Sequence, residues 1–153
     1  MSELSHYDQT GAASMVDVSG KQTTQRTARA QAFVRIRPEV LAKLPDNPKG
    51  DPLEVARIAG IQGAKRTSEL IPMCHPLALT HVGVDIQVEK DGVRIVTSAS
   101  TTGPTGVEME ALTAAAVAAL TVYDMTKALD KGIEIQDLYL VEKTGGKSGD
   151  FRR

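Results

Sequence analysis

His81-Val82-Gly83-Val84-Asp85-Ile86-Gln87-Val88-Glu89-Lys90-Asp91-Gly92-Val93-Arg94-Ile95-Val96-Thr97-Ser98-Ala99 is the stretch on which the fold turns. Val82, Val84, Ile86 and Val88 alternate with other residues at the period of two expected of a strand with one buried face. Lys90-Asp91-Gly92 interrupts that pattern with a hairpin signal, and Val93 to Ala99 continues as a second strand. An antiparallel hairpin therefore sits at the middle of the chain.

Upstream of it, Asp51-Pro52-Leu53-Glu54 opens a helix. Asp51 is a good N-cap, Pro52 suits the first helical position, and Glu54 completes a capping-box-like pair. The helix is expected to reach about Leu70, after which Pro72 and Pro76 force an extended loop. Earlier still, Ala32, Val34 and Ile36 mark a strand over Ala28 to Arg37, Pro38 to Leu44 reads as a short helix, and Pro45 to Gly50 as a loop. Downstream, Gly103 to Gly106 turns and a long helix runs to about Asp130, where Lys131-Gly132 stops it. Ile133 to Glu142 reads as the last strand. The order β-α-β-β-α-β is the ferredoxin-like α+β arrangement, an antiparallel sheet with both helices packed on one face. Ala111, Ala114, Ala115, Ala116, Ala118 and Ala119 keep the long helix thin enough for close approach to the sheet or to another subunit.

The 153 residues suit one domain over 1–153, with 1–25 and 143–153 as flexible ends and Met15 to Val18 as a candidate short strand. The composition, 41% hydrophobic and 24% charged, is that of a globular protein, and the net charge of -1 lacks the basic excess of a nucleic-acid binder. One cysteine, Cys74, allows neither an internal disulfide nor a Cys-based zinc site and suits a reducing cytoplasm. No signal peptide is expected from the polar N-terminus, and the apolar run Ala111 to Tyr123 is too short to span a bilayer.

Chemistry has several candidate seats. Asp124 and Lys127 are three apart on the long helix and share a face, where a carboxylate beside an ammonium suits proton transfer; the plain alternative is a solvated helix salt bridge. Glu108 completes a capping box with Thr105 as N-cap, which favours a structural role and leaves Glu110 the freer carboxylate. His75 is held in the double-proline loop, as an orienting or proton-carrying imidazole would be, or as an ordinary loop histidine. Cys74 and His75 are adjacent and cannot easily chelate one ion, so no metal site is expected. Lys49 precedes a helix N-terminus, an arrangement suited to anions. Lys143-Thr144-Gly145-Gly146-Lys147-Ser148-Gly149 could likewise cradle phosphate, although Val141 stands where a Walker A loop needs its first glycine. Fourteen residues separate Glu110 from Asp124, roughly 21 Å of helix at about 1.5 Å per residue. Either the substrate is long or two subunits share the site, and the second is favoured.

Six blocks stand in order along nearly the whole chain: Met15-Val16-Asp17-Val18-Ser19, Ala56 to Gln62, Leu70-Ile71-Pro72-Met73-Cys74-His75-Pro76-Leu77, Thr105 to Thr113, Tyr123-Asp124-Met125-Thr126-Lys127 and Gly145 to Asp150. Together they resemble the cyclic pyranopterin monophosphate synthase family of molybdenum-cofactor biosynthesis. The resemblance implies a hexamer, a trimer of dimers with sites between subunits. It implies a substrate in which GTP has been bridged between ribose and guanine, rebuilt as a pyranopterin with a cyclic phosphate and released diphosphate. It requires no cofactor, with Mg an optional counter-ion of the triphosphate. Asp124, Lys127 and Lys49 match the family's catalytic residues. Met73, Cys74, His75, Met109 and Glu110 match its substrate contacts, Glu108 an acidic site residue, and Lys143 and Arg26 basic residues near phosphates.

Three rival readings compete. One is another nucleotide-phosphate lyase or a cyclohydrolase on the same scaffold; bound metal would favour the cyclohydrolase, and the sequence offers no convincing zinc set. An RNA-recognition domain shares the element order but needs aromatics on the sheet, where the first strand has only Phe33 and the hairpin none. A non-catalytic assembly subunit would have no use for Asp124, Lys127, His75 and Lys49 together.

Overall fold

The structure, a computed structural model, describes residues 6–146 and 148–153. Residues 1–5 and Lys147, which the sequence places in the polar N-terminal segment and the glycine-rich tail, lie outside the described residues. Five strands form one sheet: β1 (Thr24–Arg35), β2 (His81–Glu89), β3 (Gly92–Gly103), β4 (Glu134–Thr144) and β5 (Phe151–Arg152). Their spatial order is β2-β3-β1-β4-β5 and every neighbouring pair is antiparallel. With the long helices α2 (Pro52–Lys65) and α4 (Glu108–Thr126) this is the expected ferredoxin-like α+β fold.

The hairpin forms where the alternation placed it. Glu89 pairs with Gly92, so the turn itself is Lys90-Asp91. Alternation also selects the faces. Ala28, Ala30, Ala32 and Val34 of β1, with Val93, Ile95 and Ala99 of β3, are buried beneath α4, whose Ala111, Ala115, Ala118, Ala119 and Val122 meet them. The Thr97 hydroxyl donates to the Ala111 carbonyl at 2.6 Å and ties α4 to the sheet. On the other side α4 packs against α2, which also covers β2. Gly63 permits this closeness, because a Cβ there would meet the Val117 side chain at 2.9 Å.

Element ends differ from the sequence reading for local reasons. β1 begins four residues earlier than expected, at Thr24, because its start pairs with the far end of β3. The expected Pro38 to Leu44 helix is a single turn, α1 (Pro38–Leu41), followed by a 3-10 turn over Leu44–Asp46. The helix from Asp51 stops at Lys65, and a short α3 (Thr67–Leu70) follows. The Thr67 hydroxyl donates to the Gly63 and Ala64 carbonyls at 3.2 and 3.0 Å, occupying acceptors at the end of α2. Asp51 caps α2 as expected, accepting from Leu53 and Glu54 N–H groups, but Glu54 turns to Arg57 instead of closing a capping box. The capping box at Thr105 is also absent: Val107 is the N-cap of α4, no side chain caps it, and Glu108 is its first residue. Met15 to Val18 adopt no strand.

β4 carries the departure with most consequence. Its register against β1 shifts between Arg29 and Ala30 and again between Gln31 and Phe33, and Asp137 takes φ 53. Each shift inserts one residue into β4, and a one-residue slip reverses which face a side chain meets. The two shifts together restore the original face and offset β4 by two residues, so that Lys143, on the helix-bearing side, stands opposite buried Ala28.

Candidate active site

The two ends of α4 carry different clusters. At its C-terminal end, the Lys127 ammonium lies 2.9 Å from Asp124 Oδ1, and both side chains are exposed. Lys49 Nζ donates to the Asp124 carbonyl oxygen at 3.3 Å. The loop that carries Lys49 is fixed by Asn47, whose amide donates to the Met125 carbonyl at 2.7 Å and whose oxygen accepts from the Lys49 N–H. This loop also satisfies carbonyls that the end of a helix leaves free. The hydrogen bond from Lys127 and the charges of Lys127 and Lys49 hold the Asp124 carboxyl below the usual aspartate range. At neutral pH the cluster is therefore a carboxylate between two ammonium groups.

At the N-terminal end of α4 the double-proline loop meets the helix. A cleft of about 280 Å³ is lined by Met73, Cys74, His75, Glu108, Met109 and Glu110, with Val16, Val18 and Lys21 of the N-terminal segment across from them. His75 Nε2–H donates to the Val16 carbonyl at 2.6 Å, which fixes the ring against the N-terminal segment. Glu110 is only 4% exposed. Burial pushes its carboxyl up to about 7, and the neighbouring Glu108 charge adds to the rise. Burial and Glu110 push the Cys74 thiol up as well, so Cys74 stays a protonated contact rather than a thiolate nucleophile. Glu108 Oε1 lies 3.5 Å from Lys143 Nζ, so its carboxylate faces a cation instead of capping the helix. Lys143 also donates to the Ser148 hydroxyl at 3.3 Å.

Beside this cleft a larger one, about 950 Å³, is lined in part by Lys21, Thr24, Arg26, Gly146 and Ser148. Arg26 is 9% exposed, and its Nε donates to the Gly103 carbonyl at 2.9 Å. Lys21 borders both clefts.

The structure thus joins eight of the residues singled out in the sequence at one end of α4 and leaves Asp124, Lys127 and Lys49 at the other. The helical rise places Glu110 and Asp124 roughly 21 Å apart within one chain. Sequence reasoning did not single out Val16 as a partner of His75, nor Lys21 and Thr24. These lie in or beside a polar stretch with no periodicity, and only the run of residues quoted around Met15 pointed to it.

Fold and clefts together define a ferredoxin-like α+β protein with an acid- and cation-lined site at each end of one long helix. The MoaC family model matches residues 15–146. A cyclic pyranopterin monophosphate synthase of Streptomyces avermitilis is 59% identical over 152 residues, covering 98% of this chain and 89% of the relative. A second synthase of that name, from Corynebacterium efficiens, is 58% identical over 153 residues and 99% of each chain. A third, from Roseiflexus sp., is 56% identical over 155 residues, 99% of this chain and 98% of the relative. The chain belongs to the MoaC family.

Proposed function

We infer that this protein is a cyclic pyranopterin monophosphate synthase of molybdenum cofactor (molybdopterin) biosynthesis. It converts (8S)-3',8-cyclo-7,8-dihydroguanosine 5'-triphosphate into cyclic pyranopterin monophosphate and diphosphate. The observation that carries this is the 56–59% identity, along nearly the whole chain, to relatives that bear this name. By reaction type we class it as a phosphorus–oxygen lyase. A ribose hydroxyl oxygen attacks the α-phosphorus, its proton passes to a base, and the α–β bridging oxygen leaves on diphosphate with the bond's electron pair.

The geometry supports a division of labour. Asp124, held as a carboxylate by Lys127 and Lys49, serves as a base from its resting state. Glu110, with a pKa of about 7, can give or take a proton near neutrality. The two carboxyls are tuned in opposite directions, as a sequence of ring-opening and ring-closing proton transfers needs. Met73, Cys74, His75, Glu108 and Met109 shape the cleft for the ring system, and Lys143 and Arg26 face phosphate. The reaction requires no cofactor, and Mg enters only as a counter-ion of the triphosphate.

The separation of the two clusters supports a site shared by subunits, with Asp124, Lys127 and Lys49 of one chain facing the cleft of another in a hexamer of three dimers. A cytoplasmic location is our reading, supported by the small-molecule biosynthetic role and compatible with the free thiol of Cys74. Among the described residues no helix is long and apolar enough to cross a membrane.

A single-turnover assay with the cyclised nucleotide tests the assignment. Wild type should yield the pyranopterin and diphosphate, and Asp124→Asn should bind substrate but turn it over at least about 100-fold more slowly. A wild type that binds the nucleotide and releases neither product would overturn the reaction. A fully active Asp124→Asn would remove Asp124 from the chemistry.

A further inference from the structure

Asn47 grips, with one side chain, the backbone beside two charged groups of the Asp124 cluster. Its amide donates to the Met125 carbonyl, 78 residues further along the chain, at 2.7 Å. Its oxygen accepts from the Lys49 N–H at 2.8 Å. Met125 directly follows Asp124, so the two bonds lock the turn that bears the lysine to the helix end that bears the carboxylate. Asn47 is half-buried, whereas Lys49 and Asp124 are exposed.

The turn is stiff. Asn47 is extended, at φ -69 and ψ 123, the conformation favoured before proline. Pro48 restricts the next φ, the Gly50 N–H returns to the Asn47 carbonyl at 3.1 Å, and Gly50 takes φ 104, which favours glycine. The carbonyls at the end of α4 show what the turn supplies. Those of Tyr123 and Thr126 accept backbone N–H groups, from Lys127 and Leu129. Among the described residues, those of Asp124 and Met125 between them accept side chains instead, from Lys49 Nζ at 3.3 Å and from Asn47. Lys49 reaches its carbonyl on a flexible four-carbon stem, which does not anchor its own root. Asn47 supplies that anchor.

We propose that Asn47 is a positioning residue for the reaction, holding the Lys49 ammonium against the end of α4, beside the Asp124 carboxylate that serves as base. What the base does rests on the synthase reading above; what Asn47 does rests on its own contacts. Lys127 from the helix end and Lys49 from the turn are the charged groups that bear on Asp124. Lys127 keeps its place by helical spacing, three residues on. Lys49 belongs to a distant segment and has no such spacing to rely on, so its hold on Asp124 passes through Asn47.

The test uses full-length protein labelled with carbon-13 at the aspartate side-chain carboxyls, the Asp124 signal being assigned by its loss in Asp124→Asn. NMR reads the titration midpoint of that signal in wild type, Asn47→Ala, Lys49→Met and the double variant. Lys49→Met removes an ammonium, so the midpoint should rise toward the ordinary aspartate value. Asn47→Ala should raise it too, by releasing that ammonium, and should add nothing in the Lys49→Met background. Thermal melts identify any variant that fails to fold. Asn47→Ser keeps a turn acceptor and lacks the amide that reaches Met125, so it should give a smaller rise and carries the test if Asn47→Ala unfolds. A folded Asn47 variant with the wild-type midpoint would overturn the proposal. An equal rise with and without Lys49 would overturn it as well and leave Asn47 a brace of the helix end. Single-turnover rates with the cyclised nucleotide on the same samples separate the two claims. Asn47→Ala should be about tenfold or more slower at saturating nucleotide, with half-saturation changed by less than about threefold. Wild type without turnover sinks the synthase reading and leaves the NMR midpoints to decide Asn47. Turnover of Asn47→Ala at the wild-type rate removes the positioning role while the reaction stands.

Discussion

Glu110 and Asp124 are two carboxyls on one helix with opposite electrostatics. Asp124 is exposed beside two ammonium groups and stays ionised; Glu110 is buried beside another carboxylate and holds its proton to about pH 7. This has a consequence for stability. A carboxyl raised from 4.5 to about 7 on folding keeps a proton that the unfolded chain has already released. Its contribution is therefore fully present below the unfolded value and is lost as pH rises through about 7. Glu110→Gln should flatten that slope and stabilise the protein above about pH 8 by an amount on the order of 3 kcal/mol, at about 1.4 kcal/mol per pKa unit. Denaturant unfolding of both proteins across this range is the check, and parallel pH profiles would contradict it. The sequence marked Glu110 as the freer carboxylate; among the described residues it forms no ion pair, whereas Glu108 lies 3.5 Å from Lys143. Its raised pKa was not legible, because burial depends on what the double-proline loop and the N-terminal segment lay over it.

At the scale of elements, α4 is positioned by small residues on both its contacts. Alanines meet the sheet, and Gly63 of α2 admits Val117. Gly63→Val would force overlap at a contact already at 2.9 Å and add a β-branched residue to a helix interior. It should destabilise the fold by about 1–3 kcal/mol, read as a lower midpoint in thermal or denaturant unfolding. The hairpin, both long helices and the alternation of β1 were readable because period and turn chemistry are local. The bulges of β4 were not. Its alternation is irregular in sequence, and only pairing against β1 shows which residues are extra. Those bulges move Lys143 two residues along the sheet, to stand opposite Ala28 and 3.5 Å from Glu108, so a feature invisible to periodicity sets one edge of the cleft. The expected capping box at Thr105 failed for a related reason: Glu108 meets a cation from a strand far along the chain, an interaction that competes with the local cap.

For the whole molecule, the length of α4 is the controlling dimension. It keeps Asp124, Lys127 and Lys49 roughly 21 Å from the cleft within a chain. Mixed oligomers made from Asp124→Asn and His75→Ala chains, each weakly active alone, should recover activity where intact halves from two chains meet. For randomly mixed dimers in equal amounts, about a quarter of the sites regain both residues. Absence of any recovery in mixtures shown to exchange subunits would count against a shared site. The sequence by itself determined the ferredoxin-like order, the two long helices, the family and most of the residues that gather at the clefts. These rest on local periodicity, turn and cap chemistry and ordered blocks of residues, which the linear chain contains. Only the tertiary structure decided that Glu110 is buried while Asp124 is exposed, that β4 sets Lys143 opposite Ala28, that Val16 holds His75, and that Arg26 and Thr24 share a cleft. Each of these depends on segments distant in sequence meeting in space, and desolvation and pairing arise only once they meet.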